Sequence, residues 1–126
     1  MKKEFSSEWK SSKKPSKQRK YRAKAPLHLK TEFLSSHLSK DLKKKYGRRN
    51  VTIRKNDKVK ILRGQFKGKV GKIERVDRKN EKIYIAGVEM TKKDGGKSFY
   101  PIHPSNLLIT ELHLEDRKRI KSLERK

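Results

Sequence analysis

The sequence predicts a mainly β protein: a small, strongly bent β-barrel with short N-terminal helices, a basic N-terminal extension and a C-terminal helix. Two observations predict the barrel. From Val51 onward apolar residues recur with period two, and turn signals cut the pattern into short runs. About five such strands within residues 51–110 suit a small barrel. A third observation predicts the flanks. Leu38, Leu42 and Tyr46 fall four apart, the spacing of one helix face.

Residues 1–25 read as an extended basic tail. Lys10, Lys13, Lys14, Lys17, Arg19, Lys20, Arg22 and Lys24 are interleaved with Ser and Pro, so no apolar face can form. Trp9 and Tyr21 are aromatic surfaces on which bases could stack. A solubilising tail is the alternative, and contact with nucleic acid is favoured because such tails are commonly ordered by it.

Residues 26–50 read as a helical extension. Pro26 can open a short helix, with Leu27, Leu29, Phe33 and Leu34 as its apolar contacts. A second helix is expected from about Ser39 to Tyr46, with Ser39 as N-cap and Gly47 as stop. Lys40, Lys43, Lys44 and Lys45 lie off its apolar face, where they are either solvated or aimed at phosphates.

The strands of residues 51–110 follow in order. Val51 and Ile53, then Val59 and Ile61, then Val70, Ile73 and Val76, then Ile83 and Ile85, then Phe99 and Leu107 to Ile109 supply the apolar positions. Asn56-Asp57, Gly64 to Gly68, Arg78 to Glu81, Asp94-Gly95-Gly96 and Pro101 to Asn106 supply the turns. Residues 111–126 return to a helical pattern. Ile120 and Leu123 form a narrow stripe, and Glu115 and Arg119 are spaced for an ion pair.

Charge decides the class of partner. The 126 residues carry 38 Lys+Arg against 14 Asp+Glu, a net charge of +24, and only 30% are hydrophobic. Residues 1–50 alone hold 17 of the basic side chains and 4 of the acidic ones, so positive charge is densest ahead of the predicted barrel. Such a chain repels itself unless a polyanion neutralises it. Nucleic acid is that partner by default, because Lys and Arg release the counterions condensed on phosphates. A membrane surface would call for a broad apolar helix face or a lipidation signal, and neither is evident. The start Met1-Lys2-Lys3-Glu4-Phe5 is no secretory signal, and Leu107-Leu108-Ile109 is too short to span a bilayer, so no membrane insertion and a cytoplasmic location are expected.

Catalysis and metal binding are not expected. Cysteine is absent. His28, His37, His103 and His113 are scattered without ligand spacing. The carboxylates never cluster as a pair, and Gly95-Gly96 reads as a hairpin turn rather than a phosphate loop. No cofactor is implied.

The informative stretch runs from Asn56 to Ile73. Asp57 can close a turn ahead of the strand with its side-chain oxygen. Val59 and Ile61 point inward while Lys58 and Lys60 point out. Gly64 and Gly68 bracket a tight loop, and Gly71 permits a bend or a close approach in the next strand. Arg63, Gln65, Phe66, Lys67 and Lys69 are presented together, a set suited to a phosphate backbone and an exposed base. Arg48, Arg49, Arg54, Lys55 and Lys72 flank it and complete, with Lys43, Lys44 and the basic tail, the predicted RNA-binding set.

This stretch resembles a KOW motif, the β-loop-β element of several ribosomal proteins and transcription elongation factors. Its three glycines, the Lys67-Gly68 pair and Asp57-Lys58-Val59 carry the resemblance. Further stretches extend it: Ala25-Pro26-Leu27-His28, Leu38-Ser39-Lys40-Asp41-Leu42, Ile85 to Lys93 and Ile102 to Leu107. Together they resemble the archaeal and eukaryotic branch of the large-subunit ribosomal protein family numbered twenty-four in the universal scheme. The resemblance implies an SH3-like barrel that binds large-subunit rRNA in its 5′ domain early in assembly, near the exit of the nascent-chain tunnel. Neighbouring large-subunit proteins are implied as partners, and nascent-chain targeting factors are compatible with that position. The hairpin from Lys92 to Lys97 corresponds to a family loop near the tunnel mouth and is shorter than in bacterial members. A transcription elongation module or a non-specific nucleic-acid-binding protein is the alternative function. The elongation factors generally couple the motif to a larger domain, for which residues 1–50 leave no room.

Overall fold

The computed structural model describes residues 5–125, apart from the side chain of Trp9. Alternating apolar positions fold into eight short strands: β1 (Ser35–Leu38), β2 (Asn50–Thr52), β3 (Lys58–Ile61), β4 (Val70–Asp77), β5 (Lys82–Ile85), β6 (Glu89–Thr91), β7 (Lys97–Phe99) and β8 (Leu107–Glu111). The helices are α1 (Pro15–Lys24), α2 (Leu27–Phe33), α3 (Lys40–Tyr46) and α4 (Arg117–Glu124). Strand and helix contribute in roughly equal measure, so the fold is mixed rather than mainly β.

Six strands form one sheet in the order β2-β1-β8-β3-β4-β5, and β6 and β7 form a separate hairpin. All neighbours are antiparallel except β1 and β8, where His37 and Leu38 run parallel to Leu108 and Ile109. Register shifts between Lys58 and Val59 and between Ile73 and Arg75 disrupt the ladder, as bulges that bend a sheet do. An isolated bridge joins Ile83 to Ile102, just ahead of the 3₁₀ turn Pro104–Asn106 that leads into β8. Among the described residues the edge strands β2 and β5 do not pair, so the sheet stays open where a small, strongly bent barrel is expected.

One apolar cluster lies within this arrangement. Leu34, Leu38, Ile53, Val59, Ile61, Ile73, Ile83, Ile85, Val88, Ile102, Leu107 and Ile109 are buried together. The period of two explains which residues enter it: Val59 and Ile61 are buried, whereas Lys60 is exposed. Gly71 sits opposite Val59, and a Cβ there would come within 2.7 Å of the Ala86 carbonyl oxygen and 2.8 Å of Ile85 Cγ2. Only glycine permits β4 to pass so close to the end of β5.

Three further expectations are corrected. Residues 15–24 are helical, not extended. Pro15 occupies the first turn, where its missing N–H costs nothing, and Lys, Gln, Arg and Ala are good helix formers that need no apolar face. Leu38 belongs to β1 instead of sharing a helix face with Leu42; α3 starts after it, with the Ser39 hydroxyl accepting from the Leu42 N–H and Gly47 closing the helix in a left-handed conformation. The pair between Glu115 and Arg119 does not form: Glu115 lies 3.2 Å from His113 Nε2, and Arg119 turns inward.

Arg119 makes the interaction that fastens α4 to the sheet. Its two terminal nitrogens donate to the two carboxylate oxygens of Asp57, each at 2.6 Å, and neither side chain is more than 4% exposed. Asp57 also accepts from the backbone N–H groups of Arg54 and His113, both at 2.9 Å. Arg119 donates further to the carbonyls of His113 and Thr52. Leu123, one helical turn along, is buried beside it.

Candidate nucleic-acid interface

The loop between β3 and β4 is shaped by its backbone. Gly64 and Gly68 have φ of 96° and 89°, a region that side-chain-bearing residues rarely adopt. The Gly68 N–H donates to the Ile61 carbonyl at 2.8 Å, and the Ile61 N–H to the Lys69 carbonyl at 2.9 Å, closing the neck. The Leu62 N–H donates to the Asn106 carbonyl at 2.8 Å and ties the loop to the start of β8.

This geometry exposes Arg63, Gln65, Lys67 and Lys69. Among the described residues no carboxylate lies within ion-pair distance of those three cations. Phe66 behaves differently from the expected exposed aromatic. It is half-buried against the core, its ring centroid 5.0 Å from that of Tyr100, and the Lys69 ammonium stands 5.0 Å from its centre. A phenylalanine on a tight loop gains more by packing than by waiting in water. Phe66 therefore supports the loop from beneath and places Lys69. Lys72 projects from β4 opposite Lys58, which pairs with Glu111 at 2.9 Å.

Lys13 and Lys14 precede α1, and Lys17, Arg19, Lys20, Arg22 and Lys24 are exposed along it. Tyr21 is not free for stacking. It is half-buried between Phe5 and Phe33, at centroid distances of 4.9 and 6.3 Å. Arg22 pairs with Glu81 and lies 5.3 Å from the Phe33 ring, which holds α1 beside the β4–β5 turn. The remaining predicted residues lie on α3 and on the segments flanking β2. Lys43 is half-buried and Lys44 exposed on α3; Arg48 donates to the Arg125 carbonyl at 2.7 Å; Arg49 and Lys55 are exposed. Arg54 pairs with Asp116. The predicted cations are thus distributed over loop, helix and sheet edge instead of forming one patch.

Electrostatics follow these contacts. The hydrogen bond from Arg54 holds the Asp116 carboxyl below its usual range, helped by the Lys118 backbone N–H. The side chain of Asn80 does the same for Asp77 in the β4–β5 turn. His103 is lowered by burial and then by repulsion from Arg22 and Lys82, against the opposing pull of Glu81. No group of three His, Asp or Glu side chains among the described residues could hold a metal ion. No described helix is long and apolar enough to cross a membrane.

Sequence reasoning gave Arg119 a surface partner, Glu115, and missed its buried one, Asp57. The signal was present, since Arg119 shares a helix face with Leu123 four residues on, and an arginine in an apolar stripe needs a buried partner.

A bent sheet that buries a small aliphatic core and turns cations outward from a glycine-framed loop and a basic helix defines a compact cation-presenting protein. The chain belongs to the ribosomal protein family described as L26 in eukaryotes and L24 in archaea, whose model matches residues 12–126. Among its relatives is the large ribosomal subunit protein uL24 of Methanosphaera stadtmanae, 49% identical over 115 residues, covering 91% of this chain and 98% of the relative. The uL24 proteins of Methanocella arvoryzae and Korarchaeum cryptofilum are each 47% identical, covering 89% and 90% of this chain and 90% and 86% of their own lengths.

Proposed function

We propose that this chain is a structural constituent of the large ribosomal subunit that binds large-subunit rRNA in its 5′ domain and supports early assembly. The observation that carries the reading is the loop at residues 62–69, where two glycines in left-handed geometry expose three cations that no carboxylate among the described residues neutralises. Family membership supplies the ribosomal setting. In this reading β3, the loop and β4 are the KOW motif, and the bent sheet is an SH3-like barrel whose ends stay apart. The mechanism is phosphate neutralisation with recognition of shape and little reading of bases. The burial of Phe66 and Tyr21 favours that emphasis, since neither presents a free ring. Neighbouring ribosomal proteins are further partners, on ribosomes in the cytoplasm. The β6–β7 hairpin, with Lys92, Lys93 and Lys97 exposed, is the segment that would stand near the tunnel exit and any nascent-chain targeting factor there.

Titration of an rRNA fragment against salt tests the reading. With six or more phosphate contacts, affinity falls on the order of a thousandfold between low and moderate salt. Lys67→Glu with Lys69→Glu weakens binding and leaves the melting temperature near that of the unaltered chain. A flat salt dependence, or unchanged affinity in this variant, contradicts the reading.

A further inference from the structure

The turn between β4 and β5 carries an acid in an unusual backbone position. Glu81 has φ of 55°, in the left-handed region where glycine is the ordinary occupant. The other described side-chain-bearing residue there, Asn56, is of a type that tolerates it. Backbone of this kind persists where the surroundings fix it, and it aims a side chain in a direction that regular structure would not. Asp77 fixes this turn, its carboxylate accepting from the Asn80 backbone N–H at 3.1 Å and from Asn80 Nδ2 at 2.8 Å. The Glu81 side chain is only 15% exposed, in a chain of net charge +24. It accepts from the Arg22 guanidinium on α1, and His103 Nε2 stands 3.8 Å away.

Helix α1 needs such a fastening. It is 10 residues long and none of them is buried. It holds Lys17, Arg19, Lys20, Arg22 and Lys24 and no acid. A helix this short is marginal in water, and its like charges repel one another. Its packing against the body is slight: Tyr21 meets Phe33 of α2 with centroids 6.3 Å apart, and Arg22 lies 5.3 Å from the same ring. Helix α2 reaches the same turn, where Lys30 Nζ donates to the Lys79 carbonyl at 3.3 Å.

The placement of the pair decides what it does. Arg22 belongs to the last turn of α1, and Ala25, just beyond the helix, is buried. The clasp therefore sits at the root of the helix and sets the direction in which its other residues leave the body. A basic arm without such a clasp would be ordered by its partner, and the binding free energy would be reduced by the cost of ordering it. A carboxylate supplied by the chain itself meets part of that cost before the partner arrives.

We propose that Glu81 is a positioning residue: it clasps Arg22 and so preorganises α1 on the body of the free chain, ahead of rRNA binding. This inference rests on the rRNA-binding reading above. Glu81 acts through Arg22 and the direction of α1 and meets no phosphate itself. An acid thereby strengthens the binding of a polyanion, the reverse of its effect through charge alone.

The test uses the full chain, Glu81→Gly, and the charge swap Arg22→Glu with Glu81→Arg. Glycine suits the left-handed position, so Glu81→Gly removes the clasp without damaging the turn, and its melting temperature should not fall. Amide hydrogen exchange of the free chains is read first. The amides of α1 should exchange up to about fivefold faster in Glu81→Gly, the upper end of what a partly exposed ion pair contributes, and the swap should restore much of their protection. Affinity for an rRNA fragment is read second, and its sign decides. Glu81→Gly raises the net charge by one, so charge alone would tighten binding, whereas loss of preorganisation weakens it. The swap leaves the net charge unchanged and should recover affinity relative to Glu81→Gly. Exchange of α1 in the unaltered chain as fast as in an unstructured peptide, or unchanged by Glu81→Gly, overturns the clasp. Faster exchange combined with equal or tighter binding overturns its part in recognition and leaves the rRNA reading intact. Failure of the unaltered chain to bind rRNA removes that reading and the positioning role with it, whatever the exchange shows.

Discussion

Replacing Arg119 by Met should cost this protein a large part of its stability. The substitution keeps an apolar stem of similar length and removes the guanidinium that meets both oxygens of Asp57 at 2.6 Å. Asp57 is left fully buried with only the Arg54 and His113 N–H groups as donors. Removing one partner of such a pair costs about 3–5 kcal/mol, because the other charge stays in the interior unpaired. Domains of this size are stable by about 5–15 kcal/mol, so the loss is a third or more of a typical total. With a urea dependence of about 1.5 kcal/mol per molar, the midpoint of unfolding should fall by about 2–3 M. Asp57→Ala should cost at least as much, since it also releases the two backbone donors. The double variant Asp57→Ala with Arg119→Met should cost less than the sum, with a coupling of about 2 kcal/mol or more, because no lone charge remains. Equilibrium urea unfolding of the three variants measures these quantities. A loss below about 1 kcal/mol for Arg119→Met, or strict additivity, refutes the assignment of this pair as the tie between α4 and the sheet.

Gly71→Ala should lower stability by about 1–3 kcal/mol, since its methyl would stand within 2.8 Å of both Ile85 and the Ala86 carbonyl; an unchanged urea midpoint would show that β4 and β5 yield easily. Leu123→Ala should cost about 2–5 kcal/mol and speed hydrogen exchange in α4, and slow exchange retained there would mean that Arg119 alone secures the helix. His103 has its folded pKa held below the ordinary 6.5, so the fold favours the neutral ring. Its contribution is present above pH 6.5 and is lost as pH falls toward the lowered folded value. His103→Gln should flatten the pH dependence of stability across that window, and an identical pH profile in the variant would assign the dependence to other groups.

The strands were the most legible part of the sequence. Val59-Lys60-Ile61 and Ile83-Tyr84-Ile85 show a period of two that only a half-buried strand explains, and both lie in the sheet with the apolar members inward. Gly64 and Gly68 also declared a loop that needs left-handed backbone. Ser35 to Leu38 was illegible, because the strand is four residues long and its pairing with β8 depends on residues far along the chain. Helix α1 was hidden for the opposite reason: basic residues with good intrinsic propensity form it without any apolar pattern. At the site, exposure of Arg63, Lys67 and Lys69 followed from the loop. The inward turn of Phe66 did not, because it depends on Tyr100, which the sequence places far away. The same holds for Asp57, whose local turn with Arg54 was readable and whose partner Arg119 was not.

Sedimentation of cell lysate through a sucrose gradient at high salt, with the protein followed by mass spectrometry, tests the central claim most directly. The chain should travel with the large subunit and stay with it as loosely held proteins are stripped away. Recovery of the chain at the top of the gradient, or with RNA polymerase, would contradict a structural role in the ribosome.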